Sequence, residues 1–341
     1  MKFTQLITFC FKSFQYFLGL GMHVILNLKI SLGGKNMGRY LLSRIWQIIP
    51  VLLIISFIVF TLVYVAGDPV ALMLPEDATE QDKQVLRESL GLDKPFIIQY
   101  ANYVVNLFQG DFGTSYRYND SALLVVLERL PATLELATAA MVVAIFIAIP
   151  LGIWSATKKN SALDLIATGG AVLGKAMPNF WLGIMLILIF SVTLGMLPVS
   201  GRGTFLHVLL PAITLGTGIA AEMTRLIRSS MIEILSQDYI RTAKSKGIKD
   251  RIVVLKHAFR NSLIPVITIT ALQTSTLVGG TLITETVFSW PGLGQLLIQA
   301  VNTRDMAIVQ ACVFIIAVMV ITMNLIADLL YRLLDPRIKY N

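Results

Sequence analysis

The chain of 341 residues is 55% hydrophobic and only 14% charged, with a mean hydropathy of +0.73. Soluble domains carry about 25% charged residues, so a water-soluble globular protein is excluded and an integral membrane protein is indicated. The net charge of +8 does not point to nucleic acid, because the bases sit in short segments flanking apolar runs, where they report topology.

Residues 1–36 contain apolar stretches interrupted by Lys12 and by Gly-Leu-Gly at 19–21. They lack the order of basic start, apolar centre and small-residue cleavage site that marks a signal peptide. They read as an extension, either an interfacial helix or the product of an upstream start, because Met37-Gly-Arg-Tyr is itself a natural beginning. A spanning helix needs about 20 mostly apolar residues. Six runs meet that length, at about 45–66, 132–156, 165–194, 206–228, 264–288 and 307–331.

The connections orient these spans. Segment 67–131 holds ten acids against five bases, whereas 222–261 carries nine bases against four acids. Lys158 and Lys159 follow the second span, Arg39 and Arg44 precede the first, and Arg332, Arg337 and Lys339 close the chain. With six spans all these bases fall on one side, which the positive-inside rule makes the cytoplasm. Both termini are then expected inside, with 67–131, 195–205 and 289–306 outside. Segment 67–131 is too long for a simple connection. It contains an amphipathic stretch, Ile97 to Phe108, and the turn sequence Gly-Asp-Phe-Gly-Thr-Ser from Gly110, and reads as a cap that receives a soluble protein or as a plug packed on the spans.

The basic island Asp238 to Pro265, DYIRTAKSKGIKDRIVVLKHAFRNSLIP, interrupts the apolar pattern. Asp238 is placed to cap a short helix from Tyr239 to Lys246. Gly247 lets the chain reverse, and a second helix is expected from Lys249 to Asn261. Pro265 is expected in the first turn of the fifth span, where its missing N–H is harmless. The result is a helix–turn–helix across the cytoplasmic face, suited to receive force from a soluble partner. A solvated basic loop against lipid headgroups is the other reading of the charge alone.

Arg241-Thr242-Ala243, Gly247 and Leu263-Ile264-Pro265 resemble the EAA-type coupling loop of ABC importer permeases, with Arg241 standing where the wider group has Glu. The fuller pattern is similar to the peptide/nickel subgroup. So are Gly67-Asp68-Pro69, Leu90-Gly91-Leu92-Asp93-Lys94-Pro95, Gly110 to Ser115, Glu285 to Gly294 (ETVFSWPGLG) and Asp335-Pro336-Arg337. The resemblance covers about residues 38–341 and leaves out 1–36.

The resemblance implies an all-α, six-span permease domain over 37–341, of the ABC importer type I fold, with a cytoplasmic coupling helix in the loop 238–265. It implies uptake of di- or oligopeptides by alternating access across a bacterial inner membrane, or of nickel chelates or glutathione by the same machinery. The implied partners are a homologous second permease, two cytoplasmic ATPase subunits and an extracytoplasmic binding protein, besides membrane lipid. No cofactor is implied for this chain, since ATP and Mg would be bound by the ATPases. The coupling residues carried over are Asp238, Tyr239, Arg241, Ala243, Lys246, Gly247, His257, Arg260, Asn261 and Pro265.

Gly169 to Lys175 (GGAVLGK) matches the core of a phosphate-binding loop. That loop needs a preceding strand and a Ser or Thr for magnesium, and here Ala176 follows within an apolar run. Lys175 lies about 15 Å into the third span at 1.5 Å per residue, where an ammonium needs a wet cavity or a partner. Two readings stand: Lys175 lines a translocation path beside the bend at Pro178 and attracts a substrate carboxylate, or it makes an intersubunit or intrahelical pair. Glu222 and Arg225 have the i,i+3 spacing of a structural pair, and Trp290 reads as an interface anchor. Cys10, Cys312 and the dispersed His23, His207 and His257 form no disulfide or metal pattern. An intramembrane enzyme would need a nucleophile–base pair, paired Asp residues or a His-rich metal motif, and none is present. A stand-alone channel leaves the structured island unexplained.

Overall fold

The computed structural model describes residues 37–66, 70, 79–89 and 91–334. The extension 1–36, Gly67-Asp68-Pro69, Leu90 and the terminal Asp335-Pro336-Arg337 lie outside the described residues. Helices dominate. They are α1 (Met37–Ala66), α2 (Glu80–Ser89), α3 (Phe96–Phe108), α4 (Ala122–Thr157), α5 (Ala162–Ala176) and α6 (Asn179–Leu186), which runs on as a π-helix over Ile187–Thr193. After α7 (Phe205–Leu235) and α8 (Asp238–Ser245), α9 (Asp250–Ile252) leads through a π-helix, Val253–Phe259, into α10 (Arg260–Gly280). Then follow α11 (Leu282–Val287), α12 (Leu293–Thr303) and α13 (Met306–Leu334). One departure from all-α is a two-residue antiparallel pair, β1 (Thr114–Ser115) with β2 (Asp120–Ser121).

Four helices are long and apolar enough to cross a membrane: Trp46–Val65, Ala122–Thr157, Phe205–Leu235 and Met306–Leu329. Two bent pairs bring the number to as many as six when each is counted as one span. They are Ala162–Ala176 with Asn179–Thr193, bent by 105°, and Asp250–Leu263 with Pro265–Thr274, bent by 50°, all counted among the described residues. Two expected boundaries are corrected. The run at 165–194 is broken at Met177-Pro178, because Pro178 disfavours helical backbone in the residue before it: Met177 is extended, at ψ 128°. The run at 264–288 ends as a helix at Gly280, after two residues of low helix propensity, and resumes as the separate α11.

The chain divides into two compact units. The first has its described residues within 37–131 and 296–321. Here α3 packs on α1 through an aromatic cluster, in which the Phe60 and Tyr103 rings stack at 5.3 Å and Phe57 meets Tyr100 edge-on at 5.2 Å. Ile55 and Val59 of α1 bury against Ala317 of α13. The short hairpin is fastened by Ser115, whose hydroxyl donates to Asp305 at the start of α13.

The second unit has its described residues within 132–295 and 322–334. Its core is built on α4 and α7. Ala132, Leu136, Ala140, Ala144 and Ala148 form a buried stripe at i,i+4 spacing on α4, and small residues let backbones approach closely where lipid gives no hydrophobic drive to associate. The backbones come close at Gly216 of α7, where an added Cβ would lie 2.7 Å from the Ala140 carbonyl oxygen and 3.1 Å from Val143. Farther along, a Cβ on Gly152 would lie 2.6 Å from Ile227. The two helices therefore run in the same direction, and their C-terminal ends share one end of the unit. Ser161 starts α5, accepting from the Asp164 N–H at 3.3 Å. At the start of α7, the Thr204 N–H donates to His207 Nδ1 at 3.2 Å, so His207 does the work of the acid in a capping box.

Gly216→Leu should separate α4 from α7. Overpacking of this kind costs about 1–3 kcal/mol, and the expected result is a lowered melting temperature of the purified protein in detergent, with Gly169→Ala unchanged because its Cβ meets open space.

Candidate functional site

The island is a helix–turn–helix keyed into the core of the second unit. Ile240 and Ala243 of α8 are buried with Val253 and Ala258 of the following arm, in the cluster that also holds Met223 and Ile227 of α7. Asp238, Tyr239, Arg241, Lys244 and Lys246 stay exposed. Gly247 ends α8 at φ +77°. Its N–H donates to Lys244 O at 2.9 Å and the Ile248 N–H reaches Ala243 O at 3.4 Å, which is a Schellman termination and explains the glycine. The Tyr239 hydroxyl accepts from Asn261 Nδ2 at 3.0 Å, and Asn261 also donates to His257 O at 2.8 Å, tying the two arms together. Lys244 and Asp250 pair across the turn at 3.5 Å.

Three expectations about the island change. Asp238 is the first residue of α8 and not its cap, which is Gln237 without a side-chain bond. The second arm does not stop at Asn261 but runs from Asp250 into α10 through the π-helical turn. Pro265 therefore sits inside α10 at the 50° bend, because a proline within a helix removes the bond to residue i−4 and crowds its carbonyl. His257 is half-buried and Arg260 exposed beside Asn261. These positions gather on one end of the unit, where the Lys158–Ser161 turn also lies. There Asp164 accepts from Arg228 through both carboxylate oxygens, at 2.7 and 2.8 Å, and from Ser155 and the Asn160 N–H.

Lys175 and Pro178 lie at the break between α5 and α6. Lys175 donates to Glu222 of α7, and Glu222 also accepts from Gln273 of α10. Lys175 is thus paired, but between two helices of the chain and not within one helix as the intrahelical reading had it. The expected Glu222–Arg225 pair does not form, because Glu222 points across to α5 and α10 rather than along α7. The ammonium remains 59% exposed and its carboxylate partner 24%. Gly169 to Lys175 is wholly helical within α5, without the strand and open backbone that a phosphate loop needs.

The opposite end of the second unit holds a group that residue spacing did not reveal. Glu285 is fully buried. Its carboxylate accepts from Thr133 Oγ1 at 2.8 Å, from the Gly294 N–H at 2.7 Å and from the Gln295 N–H at 3.1 Å, closing the start of α12 onto α11 and α4. Thr133 in turn accepts from the Leu293 N–H at 2.8 Å. A Cβ on Gly292 would fall on the Glu285 carboxylate, and one on Gly294 on the Leu282 backbone. The expectation for Trp290 is overturned: it is not an interface anchor but fully buried, with Nε1 donating to Ala132 O at 2.8 Å. Arg202 lies 5.8 Å from its ring and pairs with Glu135 at 2.8 Å. The Pro-Gly run was the available signal, since glycines bunched after an acid mark close backbone approach.

Glu285→Ala leaves two backbone N–H groups and a threonine hydroxyl without their acceptor, at about 1–3 kcal/mol for each buried donor. Thermal melting should fall further for Glu285→Ala than for Glu285→Gln, which retains an acceptor oxygen.

Comparison with known proteins fits this geometry. The model for "Binding-protein-dependent transport system inner membrane component" matches residues 148–340, and its N-terminal companion matches 37–137. The oligopeptide transport system permease protein AppB of Bacillus subtilis is 40% identical over 316 residues, covering 89% of this chain and all of its own length. The dipeptide transport system permease protein DppB of Escherichia coli is 40% identical over 336 residues, covering 89% and 99%. The glutathione transport system permease protein GsiC of Salmonella typhimurium is 40% identical over 303 residues, covering 89% and 99%. Among solved structures, an inward-facing form of the MetNI methionine ABC transporter matches with a TM-score of 0.53 at 17% identity, over 62% of this chain and 97% of that one. An amino acid ABC transporter with histidines matches with a TM-score of 0.50 at 16% identity, over 61% and 93%. The fold is that of ABC importer permeases, and the chain belongs to the family of binding-protein-dependent transport system inner membrane components.

Proposed function

We propose that this permease carries di- or oligopeptides inward by alternating access, driven by ATP hydrolysis on partner subunits. The observation that carries the substrate class is its full-length similarity, at 40% identity, to permeases named for oligopeptides and dipeptides. Glutathione is the second reading, favoured by the equal identity to GsiC. In this proposal a homologous second permease completes the pathway, an extracytoplasmic binding protein delivers substrate, and two ATPases engage the island. Both termini and the island are cytoplasmic in this reading, in keeping with the bases at the island's end. Alternating access needs a two-state element biased by both ligands, and an island packed into the α4–α7 core is suited to pass such a bias on.

Reconstitution of the complete importer in proteoliposomes tests both parts. ATP-dependent uptake of a labelled dipeptide is expected, and preference for glutathione over every dipeptide would move the assignment to the second reading. Arg241→Glu changes only an exposed side chain, so melting should stay within about 0.5 kcal/mol. Uptake should fall by about tenfold, the equivalent of about 1.4 kcal/mol. Unaltered uptake with the charge reversed removes Arg241 from the coupling surface.

Lys175 and Pro178 are assigned to the substrate path in the same proposal. The break at Pro178 and the exposed ammonium support this, since a charge at that depth facing hydrocarbon costs a few kcal/mol or more. Lys175→Met alone strips Glu222 of its ion pair, so the informative variant is Lys175→Met with Glu222→Gln. This neutral pair should melt like the parent yet take up peptide at least several-fold more slowly, and full uptake would return Lys175 to a purely structural role.

A further inference from the structure

Helix α3 has three faces. Phe96, Tyr100 and Tyr103 pack on Phe57, Phe60 and Tyr64 of α1, and the Tyr100 hydroxyl lies 3.0 Å from Ser56 Oγ. At 100° per residue, Ile97, Ile98, Ala101, Val105 and Phe108 form a second arc of about 100°. All five are exposed, with Ile97 at 77%, Phe108 at 73% and Val105 at 54%. Asn102, Asn106 and Gln109 form a third, polar arc beside it. No charged residue occurs in α3, although Asp93, Lys94 and Asp111 flank it.

The place of α3 on α1 identifies what faces the apolar arc. Every contact falls between Leu53 and Tyr64 of the candidate span Trp46–Val65. Phe60, whose ring meets Phe96, Tyr100 and Tyr103, lies five residues from the end of the span, or about 7.5 Å at 1.5 Å per residue. An interfacial helix buries its apolar face about 5–10 Å into the boundary between headgroups and acyl chains. The exposed apolar surface of α1, including Ile49, Leu53, Ile54 and Phe57, belongs to the same compact unit and needs the same solvent. We infer that α3 is an interfacial membrane helix, with Ile97, Ile98, Ala101, Val105 and Phe108 turned to acyl chains and Asn102 and Asn106 turned to the headgroup layer. Part of the segment 67–131 is thereby a lipid-seated brace on α1 rather than a domain standing clear of the membrane. The inference rests on the membrane fold and is independent of the substrate.

Nitroxide labels on single cysteines at 97, 101, 102, 105 and 106 test it, in the complete importer in lipid nanodiscs with native Cys10 and Cys312 replaced. The ratio of accessibility to oxygen over a water-soluble nickel chelate should be several-fold higher at 97, 101 and 105 than at 102 and 106. It should not change on adding the binding protein. Nickel-chelate access at 97 and 105, as in water, overturns the inference. So does protection of these positions only when the binding protein is present, which would make the arc a docking face. Exclusion of both reagents from 97 and 105 also overturns it, because the second permease would then cover the arc. Using several labelled positions keeps the outcome readable if one variant fails to fold.

Discussion

The second unit depends on one contact, the approach of α7 to the backbone of α4 at Gly216. In a bilayer apolar helices gain little by leaving lipid, so association relies on close dispersion contacts and interhelical polar bonds. The alanine stripe of α4 and the absence of a Cβ at Gly216 and Gly152 provide the first. Arg228 of α7 with Asp164 of α5 provides the second at one end, and at the other Arg202, in the loop before α7, pairs with Glu135 of α4. Because α7 is fixed along its length in this way, the position of the island that follows it is inherited from the core. Ile240, Ala243, Val253 and Ala258 extend the same cluster, which makes the island a continuation of the packed unit rather than a tethered loop.

Much of this was legible in order along the chain. Apolar runs located the four described helices long enough to cross a membrane, the Gly247 reversal followed from its place after a short polar helix, and Ile97 to Phe108 carried a helical pattern that the structure realises as Phe96–Phe108. What escaped were partnerships between distant residues. Glu222 has Arg225 at helical spacing but takes Lys175 and Gln273, respectively 47 and 51 positions away. Trp290 carries the composition of an interface residue, but a carbonyl 158 positions earlier accepts its indole N–H in the core. Glu285 looked like an acid near a span end, and its burial becomes intelligible only once the Gly294 and Gln295 amides are seen to converge on it. Local chemistry sets what a side chain can do; the tertiary path of the backbone sets which neighbour it does it with.

Bends follow the same division. Pro178 stops a helix because the residue before a proline avoids helical backbone, so the break is local and readable. Pro265 has no such freedom. With Gly247 closing α8, the arm from Asp250 has already become helical, and the proline falls inside it as a bend instead of starting a new span.

Within the island, the family-like letters divide into two kinds of work. Ala243 is buried in the core and Gly247 makes the left-handed termination; both preserve the shape. Tyr239, Arg241, Lys244 and Lys246 are exposed around that shape. Arg241, the position that departs from the acidic form of the motif, is 82% exposed, and its one ion pair, to Asp238, spans 4.0 Å. Pairs that exposed contribute little to stability. A change of sign there alters the field at the island's surface while leaving α8 and its packing intact. The packing of the island and the charge on its surface are therefore separable properties, held by different residues of the same short helix and its terminating turn.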